Sequence, residues 1–139
     1  MPTDYKEPGP TAQKIEDLIK WVRPIVRRWP KLDRETLGKD VMDSLHQMLA
    51  LATKARMHYY NQSTLRDLDI AKELAKVFMR EAVETTYTDK AGNVRYLLTT
   101  HSFGVWSKYI DEIGRLIGGW KNASEAKKSD SESKKSSKT

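Results

Sequence analysis

Six basic side chains lie close together in the first third of the chain: Lys20, Arg23, Arg27, Arg28, Lys31 and Arg34. Four of them, from Lys20 to Lys31, are spaced by three, four and four residues, which places them on one face of a helix. Oppositely charged residues normally interrupt such runs, yet no acid occurs from Leu18 to Leu32. The pattern predicts a surface that binds nucleic-acid phosphates with salt-dependent affinity. The alternative is a solvated face whose cations pair with acids such as Asp40 or Asp43.

Residues suited to catalysis or metal binding are sparse. His46, His58 and His101 lie on separate predicted elements, and Glu81 and Glu84 form an isolated pair. The Glu-x-x-His motifs of di-metal helical bundles are absent, and so is a glycine-rich phosphate loop. The chain has no cysteine, which excludes disulfides and thiolate metal sites. We therefore expect a protein that is not an enzyme and has no metal or cofactor.

Two kinds of role are predicted for the large aromatic residues. Trp21 and Tyr5 are placed where they can stack on nucleic-acid bases. Trp29, Trp106 and Trp120 fall on or beside apolar stripes, which favours packing in the core or between subunits.

Length and composition indicate one soluble helical domain. The chain has 139 residues, of which 32% are charged and 38% hydrophobic, with few glycines and prolines. No apolar run is long enough for a membrane span, and no secretory signal is visible in residues 1–10, so we expect a cytoplasmic protein. The net charge of +6 suits a nucleic-acid partner but equally suits a solvated basic bundle.

Apolar periodicity predicts the first helix after a flexible leader at residues 1–10. Thr11 is a suitable N-cap, Pro24 is expected to bend the helix, and Trp29-Pro30 is expected to end it. Its apolar stripe consists of Ile15, Leu18, Ile19, Val22, Ile25, Val26 and Trp29.

Two further helices follow with the same periodicity. Asp33 is the expected N-cap of the second, which runs to Lys54 or as far as Tyr60, and Ser63 is the expected N-cap of the third. The predicted inner face of the third helix consists of Leu65, Leu68, Ala71, Leu74, Ala75, Phe78 and Ala82.

The segment Thr85–Tyr96 is β-branched and aromatic around a turn-forming centre, which predicts a short hairpin or an ordered loop. Thr99 or Thr100 is then expected to cap a fourth helix that ends near Lys121. Residues 122–139 contain no large apolar side chain, so a disordered Lys/Ser-rich tail is expected. The predicted fold is all-α: an antiparallel four-helix bundle formed by residues 11–121.

The fourth helix has an apolar stripe with two glycines beside it. Because each glycine in a helix interior costs about 1 kcal/mol relative to alanine, Gly114 and Gly118 indicate close packing against a neighbouring element. The alternative is that Gly118-Gly119 marks the end of the helix. The residues expected to serve helix or subunit packing are Ile110, Ile113, Gly114, Ile117, Gly118 and Trp120.

The segment Glu112–Trp120 resembles the terminal signature of small four-helix proteins encoded in ribosomal RNA intervening sequences and in diversity-generating retroelements. It is most similar to the accessory variability determinant (Avd) family of those retroelements. The likeness extends over Lys14–Lys121, is most specific at Ile110–Trp120, and includes the Leu98-Thr-Thr-His101 entry to the last helix.

The resemblance implies a four-helix protomer assembled into a ring-shaped homopentamer with a basic surface. It also implies binding to the element's reverse transcriptase and to template RNA or cDNA, in support of mutagenic cDNA synthesis and retrohoming. Arg115, between the two glycines, is a candidate partner contact, and a salt bridge to Asp111 or Glu112 is the alternative. Two other functions stay open: an RNA-binding protein of the ribosomal-insert type without a polymerase partner, and a purely structural oligomeric scaffold.

Overall fold

The fold consists of four long helices, one short helix and a two-stranded hairpin. A computed structural model describes the backbone of residues 9–137 and the side chains of residues 9–127. The elements are α1 (Pro10–Arg27), α2 (Lys31–Glu35), α3 (Leu37–Met57), α4 (Gln62–Glu84), β1 (Thr86–Thr88), β2 (Val94–Tyr96) and α5 (Thr100–Ser137). The predicted all-α helical bundle is confirmed.

The long helices pack around one apolar core. α3 packs against α1 and α4, and α5 packs against the same two helices, so α1 and α4 occupy opposite corners of the bundle. Seven apolar residues were predicted to line the inner face of α1 and the turn after it; six of them are buried, and Ile25 is half-buried. The core is completed by residues of the other helices, among them Leu45, Met48, Leu65, Trp106, Ile113 and Ile117.

The first helix begins one residue earlier than its predicted cap. Pro10 is the first residue of α1 and Gly9 is its N-cap, whereas Thr11 lies inside the helix and is buried. The fixed φ of proline suits the first helical position, where no amide donor is needed. Residues 1–8 of the predicted leader lie outside the described residues.

The other predicted helix starts are displaced as well. Asp33 lies within the short helix α2, and α3 starts later, with Thr36 as its N-cap. The N-cap of α4 is Asn61 rather than Ser63. Asn61 is buried, and its side-chain amide donates to the carbonyl oxygen of Ala55 at 2.9 Å, so it links the end of α3 to the start of α4.

The inner face of α4 differs from the prediction at Leu74 and at Phe78, which is half-buried. Leu74 is 49% exposed, and Met79 is buried instead. Met79 follows the buried Ala75 by four residues, whereas Leu74 precedes it by one and is turned by about 100°. α4 therefore carries apolar residues on its outer side as well as on its inner side.

The predicted hairpin is confirmed at β1 and β2. Tyr87 pairs with Arg95 in an antiparallel register, and Gly92 in the turn has a φ of 83°. One carboxylate oxygen of Asp89 accepts the backbone amides of Ala91 and Asn93, and the other accepts the Arg95 guanidinium. The Arg95 hydrogen bond is the main reason why the pKa of Asp89 lies below its usual value. The Asp89 side chain thus reinforces a turn that is also closed by backbone hydrogen bonds between Asp89 and Asn93 and from Gly92 to Asp89.

The last helix begins as predicted and ends later than predicted. The Thr99 hydroxyl accepts the backbone amide of Ser102, which makes Thr99 the cap of α5. The helix does not stop near Lys121 but continues to Ser137. The hydroxyl of Ser124, which is 6% exposed, donates to the side-chain oxygen of Asn61 at 2.7 Å. The bundle therefore includes residues that sequence analysis assigned to a disordered tail.

Candidate nucleic-acid interface

The six predicted phosphate-binding residues are divided between α1, its C-terminal cap and α2. Lys20, Arg23 and Arg27 lie on α1, Arg28 is the C-cap, and Lys31 and Arg34 lie on α2. All are exposed except Arg23, which is half-buried. α1 ends at Arg27, so the stripe predicted on one continuous helix is wrong beyond that residue. The short helix α2 carries the remaining charges.

None of these six side chains forms a salt bridge within residues 9–127. Of the acids considered as partners, Asp43 pairs with Lys39 at 3.5 Å, and Asp40 forms no salt bridge with the described residues. Residues 20–39 hold seven basic side chains and two acidic ones. This part of the surface therefore carries an uncompensated positive charge.

Three of the predicted residues meet at a groove between α1 and α3. Arg23, Arg27 and Arg34 line a cavity of about 290 Å³ together with Lys39 and His46. The guanidinium of Arg34 donates to the main-chain carbonyl of Arg27 at 3.3 Å, which holds α2 against the end of α1. Four permanent cations thus border one groove, which is an arrangement suited to a phosphodiester backbone.

The helices approach closely beneath this groove. A Cβ atom added to Gly38, which is buried, would lie 2.8 Å from a methyl carbon of Val26. Since real Cβ atoms essentially never come so close, the glycine permits the start of α3 to pack against the end of α1. The spacing between the arginines of α1 and Lys39 of α3 depends on this contact.

Arg28 points away from that groove. Its guanidinium donates to the carbonyl of Pro24 at 3.2 Å, and it lines a separate cavity of about 870 Å³ with Arg95 of the hairpin. The wall of this cavity includes Trp29, whose indole donates to the main-chain carbonyl of Leu97 at 2.8 Å. Arg95 is paired with Asp89 and the cavity is also lined by Glu84, so Arg28 is the one uncompensated cation among its described lining residues.

Trp21, a predicted base-stacking residue, packs within the protein. Its ring lies 6.5 Å from that of Trp106 in an edge-to-face arrangement and 5.9 Å from that of Tyr109. Both neighbours belong to α5, so Trp21 joins two helices instead of offering a free ring face. Tyr5, the other predicted stacking residue, lies outside the described residues.

Lys14 lies on α1 before the basic surface begins, and its charge is paired with an acid. Its ammonium group lies 3.0 Å from the Glu112 carboxylate and 5.3 Å from the centre of the Tyr109 ring. The hydrogen bond to Glu112 is the main reason why the pKa of Lys14 is raised. A cation compensated in this way contributes little to phosphate binding, in contrast to Lys20 and the arginines that follow.

The signature segment of α5 serves mainly as core. Ile110, Ile113 and Ile117 are buried, and Trp120 is half-buried. The prediction of close packing is wrong for Gly118 among residues 9–127, because a Cβ there would meet none of their atoms within 4 Å. At Gly114 it would lie 3.4 Å from the ammonium of Lys72, which is a side chain rather than a neighbouring backbone.

Arg115 is exposed and forms neither of the considered salt bridges. Glu112 pairs with Lys14, and Asp111 takes part in no salt bridge with the described residues. Arg115 lines a mostly apolar cavity of about 430 Å³ with Arg56 and Trp120. Its predicted role as a partner contact stays a prediction.

The described residues form neither a metal-binding cluster nor a membrane-spanning helix. The described part of the chain contains no group of three or more histidine, cysteine or acidic side chains placed to hold a metal ion. His46, His58 and His101 are all exposed. No described helix is both long and apolar enough to cross a membrane.

Lys39 and His46 line the groove although they were not among the predicted site residues. Both lie on the side of α3 that faces α1, and only the packing of these helices brings them to the arginines. The seven-residue spacing of Lys39 and His46 is the one local sign that they share a helix face.

Comparison with known families decides the classification. Residues 11–124 match the bAvd-like family. The chain belongs to the bAvd-like family. This match ends at Ser124, the last residue seen to pack into the bundle, and it supports an accessory protein of the Avd type. A search among curated proteins gave no match.

Proposed function

We propose that this bAvd-like chain is a non-enzymatic accessory protein of a diversity-generating retroelement. It binds the element's reverse transcriptase and its template RNA or cDNA in the cytoplasm, and it supports mutagenic cDNA synthesis and retrohoming. It acts as a ring-shaped homo-oligomer, a pentamer. Membership of the family supports the biological setting.

The proposed binding of nucleic acid is supported by the positive charge from Lys20 to Arg34 on α1 and α2, which no salt bridge with the described residues neutralises. Lys20, Arg23, Arg27, Lys31 and Arg34 form no salt bridge in the described structure, although exposed acids are present on the neighbouring helix α3. Binding of a polyanion to such a surface releases condensed counterions, which makes a favourable and salt-dependent contribution.

The direct test replaces Lys20, Arg23, Arg27 and Lys31 by glutamine in the full chain. If all four contact phosphates of single-stranded template RNA, the slope of log affinity against log salt becomes shallower by about three. The matched control replaces Arg66, Arg80, Lys90 and Lys108, which are exposed on other elements, and loses the same charge. If RNA affinity falls equally in both variants, only the net charge of the protein matters. If RNA affinity is unchanged in the first variant, α1 and α2 do not form the binding site.

The polymerase part is tested by co-purification of the chain with the retroelement reverse transcriptase. We expect the two proteins to remain associated after nuclease treatment, because direct contact does not depend on an RNA bridge. Loss of the complex on nuclease treatment would favour the alternative of an RNA-binding protein without a polymerase partner.

A further inference from the structure

A cavity lies at the start of α1, between α3 and α5. It has a volume of about 430 Å³ and a mostly apolar lining. Leu116 and Trp120 contribute to it from α5, and Ala52 contributes from α3. Leu116 and Trp120 are only half-buried, and a cavity of this size is large enough for an aromatic side chain or a small ligand. The described residues therefore leave an apolar site open at this end of α1.

Two arginines border the cavity. Arg56 of α3 and Arg115 of α5 both line it and are both exposed. Neither forms a salt bridge with the described residues, and no acid belongs to the described lining. Guanidinium groups bind carboxylates strongly and also pack on aromatic rings. The cavity therefore suits a segment that combines an aromatic ring with a carboxylate.

The first turn of α1, which also lines the cavity, lacks a negative group as well. Its N-cap, Gly9, provides no side-chain hydrogen bond, and the turn contains no acid. The backbone amides of Thr11 and Ala12 have no acceptor among the described residues, although both residues are buried. Because free amides and the helix macrodipole give a helix start a partial positive charge, this end of α1 favours a carboxylate nearby.

The chain itself leads into the cavity. Gly9 belongs to its lining and has an extended backbone, with φ of −68° and ψ of 170°. A Cβ atom added to Gly9 would lie 2.7 Å from a guanidinium nitrogen of Arg56, so the backbone passes directly against this arginine. Residues 1–8, which lie outside the described residues, join the chain at this point. We call them the N-terminal segment.

The sequence of the N-terminal segment matches the chemistry of the cavity. It contains one aromatic residue, Tyr5, and an acid two positions later, Glu7. Proline follows Glu7, which biases that residue towards extended backbone, and in an extended segment Tyr5 and Glu7 share one side while Lys6 points to the other. Tyr5 precedes Gly9 by four residues, a reach of up to about 13 Å. The lining along α5, Arg115–Trp120, spans only about 8 Å.

We infer that the N-terminal segment occupies this cavity of its own chain. The Tyr5 ring packs against Trp120, and the Glu7 carboxylate pairs with Arg56. Tyrosine suits such a site because its ring is apolar while its hydroxyl, at the far end, stays in contact with water. Lys6, on the opposite side of the segment, remains in solvent.

Occupation of the cavity by the N-terminal segment has two consequences. Tyr5 packs within the protein, as Trp21 does, instead of stacking on a nucleic-acid base. The segment also covers the cavity next to Arg115, so a partner that uses this cavity must first displace the segment.

The test uses pairs of introduced cysteines in the full chain, which has no cysteine of its own. The reporter variant is Asp4→Cys/Gly119→Cys, because Gly119 lines the cavity, is exposed, and has no described atom within 4 Å of an added Cβ. The reference variant is Asp4→Cys/Gln13→Cys. Gln13 is exposed, lies outside the described lining, and is one helical turn from Gly9, so a segment that does not dock reaches both positions with similar ease.

Under mild oxidation, the reporter variant should form its disulfide about tenfold faster than the reference variant, because docking raises the effective concentration of the two thiols. The product should keep the mass of one chain, 16.0 kDa, on a denaturing gel without reductant. Tyr5→Ala in the reporter variant should lower the rate to that of the reference. Circular dichroism checks that all variants keep the helical fold.

Charge exchange tests the ion pair separately. In the reporter variant, Glu7→Arg or Arg56→Glu alone should slow disulfide formation by about threefold, as expected for an exposed ion pair. The combination Glu7→Arg/Arg56→Glu should restore the rate, because it re-forms the pair with its charges reversed. Lys6→Gln is the matched control and should leave the rate unchanged.

Four results would overturn the inference. Equal rates in the reporter and reference variants, or a reporter rate unaffected by Tyr5→Ala, would show that the segment does not dock through its tyrosine and that the cavity is free for another molecule. A product with the mass of two chains would place the segment in the cavity of a second copy. Failure of the exchanged charges to restore the rate would remove the contact between Glu7 and Arg56. None of these results involves RNA or the reverse transcriptase, so the proposed function is tested independently.

Discussion

The indole nitrogen of Trp29 and the carbonyl oxygen of Leu97 form a hydrogen bond of 2.8 Å between residues 68 positions apart in the chain. Both residues are buried, so loss of the bond leaves a buried carbonyl without its donor. The bond fixes the turn after α1 to the segment that leads from the hairpin into α5. It thereby sets the position of Arg27 and Arg28, which immediately precede Trp29.

Replacement of Trp29 by phenylalanine should lower the free energy of unfolding by about 1–3 kcal/mol, because the Leu97 carbonyl is left buried without a donor. Urea denaturation followed by circular dichroism measures the change. Trp120→Phe is the matched control, since the Trp120 indole is half-buried and makes no hydrogen bond within the described residues. A similar loss in both variants would indicate that ring size, not the hydrogen bond, is responsible.

Removal of the Ser124 hydroxyl should destabilise the end of the bundle. In Ser124→Ala the side-chain oxygen of Asn61 loses its donor in a buried site, which typically costs about 1 kcal/mol. Amide hydrogen exchange should increase at residues 58–61 and around Ser124. Ser63→Ala, which changes an exposed serine near the same connection, should leave exchange unaltered; equal effects in the two variants would contradict the assigned role.

Two glycines should respond oppositely to alanine. Gly118→Ala should raise the free energy of unfolding by up to about 1 kcal/mol, because a Cβ there meets nothing and the helix gains propensity. Gly38→Ala should lower it, because the new Cβ would lie 2.8 Å from Val26. Thermal denaturation of the two variants tests this contrast. If Gly118→Ala is stable yet fails to bind the reverse transcriptase, the surface around this half-buried glycine is a partner contact.

Acid should weaken the contact between α4 and the middle of α5. Asp69 lies 3.0 Å from the ammonium of Lys72 and 3.5 Å from that of Lys121. The hydrogen bond from Lys72 is the main reason why the pKa of Asp69 is lowered. A carboxyl whose pKa falls on folding stabilises the protein above its unfolded pKa, and this contribution disappears as the pH falls through its folded pKa.

The variant Asp69→Asn should therefore be less stable than wild type at neutral pH by up to about 1 kcal/mol, a range appropriate to a partly exposed ion pair. The difference should vanish as the pH falls below about 4. Urea titrations at several pH values measure it. Asp111→Asn, at an exposed acid without a salt bridge in the described structure, should show no such pH dependence, and a pH-independent loss in Asp69→Asn would refute the electrostatic explanation.

Periodicity was sufficient to predict most of the bundle. The α1 stripe and the isoleucines of α5 are buried because each apolar residue repeats at a helical interval, which is a local property of the sequence. The hairpin was also predictable, since its β-branched residues and its turn are contiguous. The incorrect predictions concern features that depend on residues far apart in the chain.

Ser124 illustrates such a failure. A serine among lysines and acids gives no local sign of burial, and its role depends on Asn61, 63 positions earlier in the chain. Leu74 illustrates a second failure. α4 carries apolar residues on two sides, and periodicity alone does not decide which side packs into the core. For the basic surface, the charges of α1 were evident, whereas the contribution of Lys39 required the packing of α3 against α1.

The two ends of the bundle differ, because α5 projects beyond one of them. α5 continues to Ser137, so it extends about 20 Å beyond Ser124 at 1.5 Å per residue. In a head-to-tail ring, rotation about the central axis brings every subunit into the same orientation. All the α5 extensions then leave through one side, and the ring has two unlike openings. If the proposed ring forms, its two faces differ, and the proposed template strand or reverse transcriptase would bind one face differently from the other.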